Sequence, residues 1–460
     1  MISIILLAGF GIINLFTGFL KSNRIMLPLV LFFLAIVFGV NLFSWNDPQS
    51  YFNNMMTIDN YAVAFTGIMV LSTLLILPFS QRYVADQDEN LAEYYSLLLF
   101  ALMAGIMMVS FENMIMLFLG IEIMSISMYV LAGSDKKRPR SNEASLKYFL
   151  MGSFFTGFLL FGIVLIYGAT GSFDITTIAG TAVGADGIDN TMFVAGLLLT
   201  IIGISFKISA APFHFWAPDV YEGTPTLFTA FMSTVVKIAG VAAFYKLLNA
   251  GFASSYSTWF PTLIAITVLT LVVGNIGAAV QGNIKRMLAY SSISHAGYLL
   301  MSVIAFNERS EQSIFFYSLA YSVATIAAFG ILKLVTVQRE DESFASFNGL
   351  GQTNPLLALV MTVSMCSLAG IPLTAGFFGK FFIFTSVLED NSLIWLVVVA
   401  VLLAAVGIYY YFKVVIAMYM QPTGNYERVR VTSLASFVLI FMTVLTILLG
   451  LAPALVSDLI

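Results

Sequence analysis

The sequence predicts an all-α polytopic membrane protein, and three observations carry that prediction. Of 460 residues, 60% are hydrophobic and only 10% charged, against about 25% charged in an average globular domain. Apolar runs of roughly 20 residues, the length that crosses a ~30 Å hydrocarbon layer, recur from one end to the other. The basic residues between these runs fall almost entirely on alternate loops. No polar stretch is long enough to fold alone, so residues 1–460 read as a single membrane domain.

Fourteen spans are predicted, near 2–20, 25–44, 58–78, 92–109, 111–131, 145–168, 191–212, 226–248, 259–281, 287–306, 312–336, 356–387, 392–419 and 432–454. Residues Met1–Leu20 lack a basic leading segment, the first positive residue being Lys21. That stretch reads as the first span and not as a cleavable signal. Of twenty lysines and arginines, twelve fall in loops on one side: Lys21, Arg24, Arg82, Lys136, Lys137, Arg138, Arg140, Lys285, Arg286, Arg339, Arg428 and Arg430. The other side has Arg309 alone, and seven lie within spans. This bias places the basic loops in the cytoplasm and both termini outside. The long loop GSFDITTIAGTAVGADGIDN carries three aspartates and no lysine, which suits the outer face.

Two spans are irregular. The seventh is interrupted at Pro212 and the twelfth at Pro372, because proline removes a backbone donor and clashes with the preceding turn. Each carries a lysine near its break. The two are five spans apart, an odd number, so a repeated five-span unit would sit upside down the second time. The expected organisation is three N-terminal spans (1–90), a first unit of spans 4–8 (91–250), a second of spans 9–13 (257–420) and a last span (430–460).

Charges at membrane depth are costly and are functional candidates by default. Glu122 lies about eleven residues into span 5, roughly 16 Å deep at 1.5 Å per residue. Lys237 is as central in span 8, Lys207 lies in span 7, and Lys380 in the second half of span 12. His295 sits in AYSSISHAGYLL, where Ser291, Ser292, Ser294 and Tyr298 add hydroxyls that could hold water. A lysine near a span end can snorkel to the interface, and that plain reading suits Lys147, Lys246 and Lys333. Lys413 stands between the two readings. Met-rich and Phe-rich faces read as packing or lipid-facing surface, Glu112 as a solvated helix end, and Asp219 and Glu222 as caps of the corner before span 8.

A carboxylate and several amines in low dielectric have interdependent protonation. At ~4 Å and an effective dielectric near 20 an ion pair is worth about 4 kcal/mol, or roughly three pKa units. Moving Glu122 toward or away from Lys207 would thus decide whether Lys207 keeps its proton. A row of lysines and a histidine bridged by hydroxyls reads as a proton relay. Metal coordination fits a mostly cationic row poorly. The single cysteine, Cys366, and two histidines, His214 and His295, on unrelated segments give no zinc, iron–sulfur or haem ligand set.

The segment KISAAPFHFWAPDVYEGTPT resembles the antiporter-like membrane subunits of bacterial proton-translocating NADH:quinone oxidoreductase (respiratory complex I), a family that includes the Mrp-type cation/proton antiporters. The resemblance extends through EASLKYFLMGSF, NIKRMLAYSSISHAGY and GIPLTAGFFGKF to nearly the whole chain. DVYEGTPT favours the N-type branch. Lysine at 380 argues against the M type, and the lack of a long lateral helix after Ile460 against the L type. The resemblance implies proton transport through two linked half-channels, driven by quinone reduction elsewhere in a complex. By matching position it implies that Glu122 pairs with Lys207, Lys237 is the central relay, His295 lies on the connecting axis and Lys380 is the exit-side residue. It implies no cofactor in this chain; NADH, FMN, iron–sulfur clusters and quinone are expected in partner subunits. The expected partners are other membrane subunits of the complex and the lipid of a bacterial inner membrane, with no nucleic acid. Two alternatives stand beside it: a subunit of an independent Mrp-type antiporter, and a structural scaffold with inactive charges.

Overall fold

The computed structural model describes residues 1–19, 23–80, 90–183, 190–423 and 426–457. Lys21, Arg82 and positions 184–189 of the acidic loop lie outside those residues. The apolar runs fold as α1 (Ile2–Thr17), α2 (Met26–Phe43), α3 (Asn60–Ile76), α4 (Leu91–Ser110), α5 (Met114–Ala132), α6 (Pro139–Thr170) and α7 (Asn190–Lys207). They continue as α8 (Thr226–Gly251), α9 (Tyr256–Ala279), α10 (Ile284–Ala305), α11 (Glu308–Arg339), the pair α12 (Pro355–Ala369) and α13 (Ala375–Val387), α14 (Ile394–Met420) and α15 (Ser433–Leu451). A two-stranded antiparallel hairpin, β1 (Gln49–Tyr51) and β2 (Met56–Ile58), lies between α2 and α3.

Among the described residues, eleven helices are long and apolar enough to cross a membrane. The difference from fourteen expected spans lies in the shorter apolar helices α1, α7, α12 and α13. Span 12 is two half-helices, and α7 is truncated by its break. The acidic loop also differs from expectation: it contains a helix, Ile175–Val183, tied to the start of α5 through an Asn113–Asp174 bridge.

Helix starts follow local chemistry. Asp59 accepts from the Ala62 N–H at 2.8 Å, Asn113 from the Ile115 N–H at 2.9 Å, and Asn307 opens α11 with a capping box. The breaks follow proline, but not where proline stands. α7 ends at Lys207, five residues before Pro212, and Ser209 takes a left-handed conformation with φ 62°. Proline cannot donate and biases the preceding residue away from helix, so the chain leaves the helix ahead of it. The freed groups find other partners: the Ala211 N–H donates to Thr270 Oγ1 of α9 at 2.8 Å, and the Trp216 indole donates to the Phe206 carbonyl at 3.1 Å. α12 ends at Ala369 on Gly370, whose φ of 84° suits a residue without Cβ. Pro372 falls in the gap before α13.

Helices differ in what surrounds them. The apolar windows of α8, α10 and α11 are 100%, 94% and 100% buried in the bundle, against 33% for α6 and 28% for α14. The outer helices therefore carry the exposed Phe154, Phe161, Trp395 and Leu402 expected of a lipid-facing surface. The inner helices face only protein. α8 also contains two π-helical turns, Met232–Val236 and Leu247–Gly251, a feature that often marks functional positions.

The inner helices approach closely through small residues, as membrane packing favours. A Cβ on Gly274 of α9 would lie 2.4 Å from the Ser294 backbone nitrogen of α10. Replacing Gly274 with valine is expected to destabilise the bundle by about 1–3 kcal/mol. A lower thermal midpoint of the purified protein in detergent, relative to Gly39→Val, checks this; Gly39 has open space around it.

Candidate functional site

The charges singled out in the sequence lie in the bundle interior. Lys207, Lys237, His295 and Lys380 are 5%, 1%, 2% and 6% exposed. Glu122 is half-buried on α5. Burial of this kind requires each amine to find acceptors, and the acceptors show how the elements are used.

Lys207 is the last residue of α7, where the helix dipole favours a cation. Its amine donates to Ser125 Oγ on α5 at 2.8 Å, and Ser125 in turn donates to the Ile121 carbonyl at 2.6 Å. The sequence reading pairs Lys207 with Glu122; in the structure the hydrogen-bond partner of its amine is Ser125. Glu122 is one helical turn from Ser125, on the same face of α5. Beside Lys207 is a small cavity lined by Ser125, Tyr129, Tyr148, Thr156 and Phe206 among others, with about 10 Å³ available to the centre of a water, enough for one. Gly152 of α6 leaves room for the Tyr129 hydroxyl at this place, since any Cβ there would overlap it.

Lys237 follows the first π-turn of α8. It donates to the Ser292 carbonyl of α10. The Tyr321 hydroxyl of α11 donates to the Ser233 carbonyl at 3.0 Å and lies 3.0 Å from Ser292 Oγ. One turn along α10, His295 is held between two tyrosines: Nδ1 is 2.5 Å from the Tyr317 hydroxyl and Nε2 is 3.0 Å from that of Tyr411. Tyr411 also lies 2.5 Å from Ser291 Oγ. Lys380 of α13 reaches back to the end of α12, donating to the Leu368 and Ala369 carbonyls at 3.0 and 2.9 Å, with its amine 4.8 Å from the Tyr298 ring centre. The break in span 12 thus supplies Lys380 with carbonyls that a continuous helix would have spent on itself.

The other charges divide differently from the sequence reading. Lys147 does not simply snorkel; it pairs with Glu143 at 2.6 Å and Asp219 at 3.1 Å. Lys246 pairs with Glu112 at 2.9 Å, so Glu112 is more than a solvated helix end. Lys413 donates to the Ala279 and Gln281 carbonyls past the end of α9 at 3.3 and 3.2 Å, much as Lys380 does to α12. Asp219 and Glu222, in the corner helix Trp216–Gly223, accept jointly from one Arg286 nitrogen at 2.8 and 2.7 Å. Lys285 donates to the Glu222 and Thr224 carbonyls. The corner is thereby tied to α6 and α10. Burial pushes the Asp219 carboxyl up, but hydrogen bonds from Arg286 and Lys147 outweigh it and hold the group below the ordinary carboxylate range. Among the described residues no three His, Cys, Asp or Glu side chains come together as a metal site.

Ser125, Tyr317, Tyr321 and Tyr411 were not singled out in the sequence. Ser125 stands three residues from Glu122, the spacing of one helix face. Tyr317 and Tyr321 stand four apart among small polar residues, which would have placed both on the face turned to α10.

The profile of the NADH:quinone oxidoreductase/Mrp antiporter transmembrane family matches residues 112–407, the stretch holding all five candidates. The chain belongs to this family. NADH-quinone oxidoreductase subunit N of Cytophaga hutchinsonii is 43% identical over 98% of this chain and 97% of its own. Its counterpart in Flavobacterium psychrophilum is 39% identical over 99% of both. Among solved structures, a chain of respiratory complex I from Thermus thermophilus superposes with a TM-score of 0.85 at 32% identity, covering 99% of this chain and 98% of that one. A chain of the Mrp complex from Dietzia sp. DQ12-45-1b superposes at 0.87 with 20% identity, over 98% and 95%, a likeness of fold alone. The family's membrane architecture is the one described above.

The corner gives a test of sign. A carboxyl held low in the folded state stabilises it above the unfolded pKa of about 3.9, and that contribution is lost as pH falls through the folded value. The thermal midpoint of the wild type is expected to drop more between pH 5 and pH 3 than that of Asp219→Asn. Equal acid losses in calorimetric or fluorescence melts would remove the pair from the account.

Proposed function

We propose that this chain is the N-type antiporter-like subunit of a proton-translocating NADH:quinone oxidoreductase, carrying protons across a bacterial inner membrane while electrons pass from NADH to quinone in partner subunits. One observation carries the reading. Four buried proton-carrying side chains, Lys207, Lys237, His295 and Lys380, lie on the inner helices and breaks of a family member whose curated relatives bear that name. NADH, FMN, iron–sulfur clusters and quinone belong in this reading to the partner subunits, as does the redox chemistry. The other antiporter-like subunits are the nearest partners expected.

The mechanism follows from the acceptors. A proton arriving from the end of the bundle that carries Lys136–Arg140, taken as cytoplasmic, reaches Lys207. A shift of Glu122 relative to Lys207 changes the stability of the ammonium, and a proton is released toward Lys237. Ser292 and Tyr321 join Lys237 to α10 and α11. His295 can take a proton on one ring nitrogen while releasing one from the other, because a tyrosine hydroxyl stands at each. Lys380 passes the proton to the opposite face, taken as the outer one, where this reading puts both termini. The two breaks, each next to a lysine, support an inverted repeat of spans 4–8 and 9–13 as the frame of this path. The antiporter alternative rests on likeness of fold, and a scaffold leaves the buried amines without a purpose.

The test is made in the assembled complex in membrane vesicles. Lys237→Ala is expected to lower NADH-driven proton pumping at least about tenfold, the low side of what a positioned proton-transfer group contributes. Glu122→Gln is expected to lower it less, since the Ser125 contact to Lys207 remains. Pumping and NADH:quinone turnover equal to wild type in both variants would remove the mechanism.

A further inference from the structure

A proton path open to both faces at once would be a leak, so each half of it has to be shut at one end. The same joint occurs at two places in the bundle. In the first, Asn113 lies between α4 and α5. It caps α5 with its side chain and forms a single antiparallel bridge with Asp174, just after α6. The next residue, Met114, donates its N–H to the Phe173 carbonyl at 2.8 Å. In the second, Asn283 lies between α9 and α10. It caps α10 and bridges Ser343, just after α11. The next residue, Ile284, donates its N–H to the Glu342 carbonyl at 2.9 Å. Helices, cap, bridge and register correspond one to one.

A lysine reaches each joint from a helix of the path. Lys246, in the last turns of α8, pairs with Glu112 at 2.9 Å, and its amine is 5.8 Å from the Phe111 ring centre. Lys413, in the last turns of α14, donates to the Ala279 and Gln281 carbonyls at 3.3 and 3.2 Å, with its amine 4.9 Å from the Phe344 ring centre. Lys246 is buried and Lys413 half-buried. α8 also carries Lys237, and α14 carries Tyr411, the partner of His295. The two joints lie at opposite ends of the bundle. α5 runs from Asn113 toward the basic loop Lys136–Arg140. Asn283 lies at that second end, since Arg286 beside it pairs with Glu222, which is 3.8 Å from Arg140.

We propose that Lys246 and Lys413 are equivalent seals, which shut the two halves of the proton path at opposite faces. This rests on the proton-transport reading above, in which spans 4–8 take protons from the Lys136–Arg140 end and spans 9–13 release them at the other. Lys246 stands where the first unit has to be closed, and Lys413 where the second has to be. Each amine ties the last helix of its unit to the corner between the first two. Its stem fills the opening through which water would enter, and a fixed cation there opposes the entry of a further positive charge. The anchors differ, a carboxylate in one case and two carbonyls in the other; the shared property is the position. Neither lysine belongs to the relay, and no proton passes through either.

The experiment uses the assembled complex in sealed vesicles. A pH difference is imposed without NADH and its decay followed with a trapped pH-sensitive dye, and protons moved per NADH oxidised are measured separately. Lys246→Met and Lys413→Met keep an unbranched stem and remove the charge. Each is expected to speed the decay several-fold over wild type and to lower the protons moved per NADH, with NADH:quinone turnover undiminished. Adding Lys237→Ala to the first, or Lys380→Ala to the second, interrupts the path and is expected to restore the wild-type decay. Lys246→Arg keeps the charge and is expected to stay tight. A leak that survives the second substitution is a packing defect and overturns the seals. Wild-type decay in both methionine variants overturns them too, while the proposed function is decided separately by the pumping of Lys237→Ala. If Lys246→Met does not assemble, Lys413→Met decides alone.

Discussion

Everything in this bundle depends on how an ammonium group is held away from water. Removing such a charge from solvent costs several kcal/mol even after relaxation, and a hydrophobic interior offers little in return. The chain meets the demand with carbonyls and hydroxyls more than with carboxylates. Lys380 and Lys413 each take two carbonyls at or just past the end of another helix. Lys237 takes the Ser292 carbonyl, and Lys207 the Ser125 hydroxyl. Neutral acceptors hold the amine without fixing its proton, which a tight ion pair would do. The amines that do have close carboxylates, Lys147, Lys246 and Lys285, lie nearer the ends of the bundle.

This choice explains the broken helices. An intact α-helix has spent its carbonyls on its own ladder, and only the last turn has them to spare. A cation held by two carbonyls at membrane depth, as Lys380 is, therefore calls for a helix that ends there. Ending one exposes backbone that lipid cannot satisfy, so each break must be enclosed by protein. Thr270 and Trp216 close the first break; Gly370 and the Ser367 hydroxyl, which accepts from the Gly376 N–H at 3.1 Å, close the second. The corner beyond the first break is then fastened by Arg286 and Lys285, both at the start of α10. The helix carrying His295 is thus joined at its base to the corner that shapes the Lys207 break.

Much of this was legible in the sequence, for a physical reason. In a chain with 10% charged residues, a single lysine or glutamate inside an apolar run stands out, and all four of Glu122, Lys207, Lys237 and Lys380 did so. The same scarcity made the basic loops alternate visibly. Their partners were harder to see. Serine and tyrosine are at home in any membrane helix, so Ser125, Tyr317, Tyr321 and Tyr411 carried no contrast until α5, α10, α11 and α14 were brought together. Boundaries were blurred for another reason. Hydropathy runs on smoothly to Pro212, while the backbone leaves the helix at Lys207 because proline acts on the residues before it. Lys147 looked like a snorkelling side chain because Asp219, 72 positions away, is near it only in three dimensions.

The enclosure of α8 and α11 also bears on how the chain comes to exist. Both helices are surrounded by protein along their whole apolar length, yet each must leave the insertion machinery before all of its neighbours are made. A lysine at the centre of a lone helix raises the cost of insertion by about 2.5–3.5 kcal/mol, and Lys237 is in that position when α8 emerges. Helices α3 to α7 precede it and α10 and α11 follow it, so its eventual acceptor, Ser292, has not yet been synthesised. The order of the chain therefore obliges the first helices to shelter an amine whose permanent partner arrives two spans later. Biogenesis of the bundle becomes a succession of temporary lodgings for charges that the finished bundle encloses.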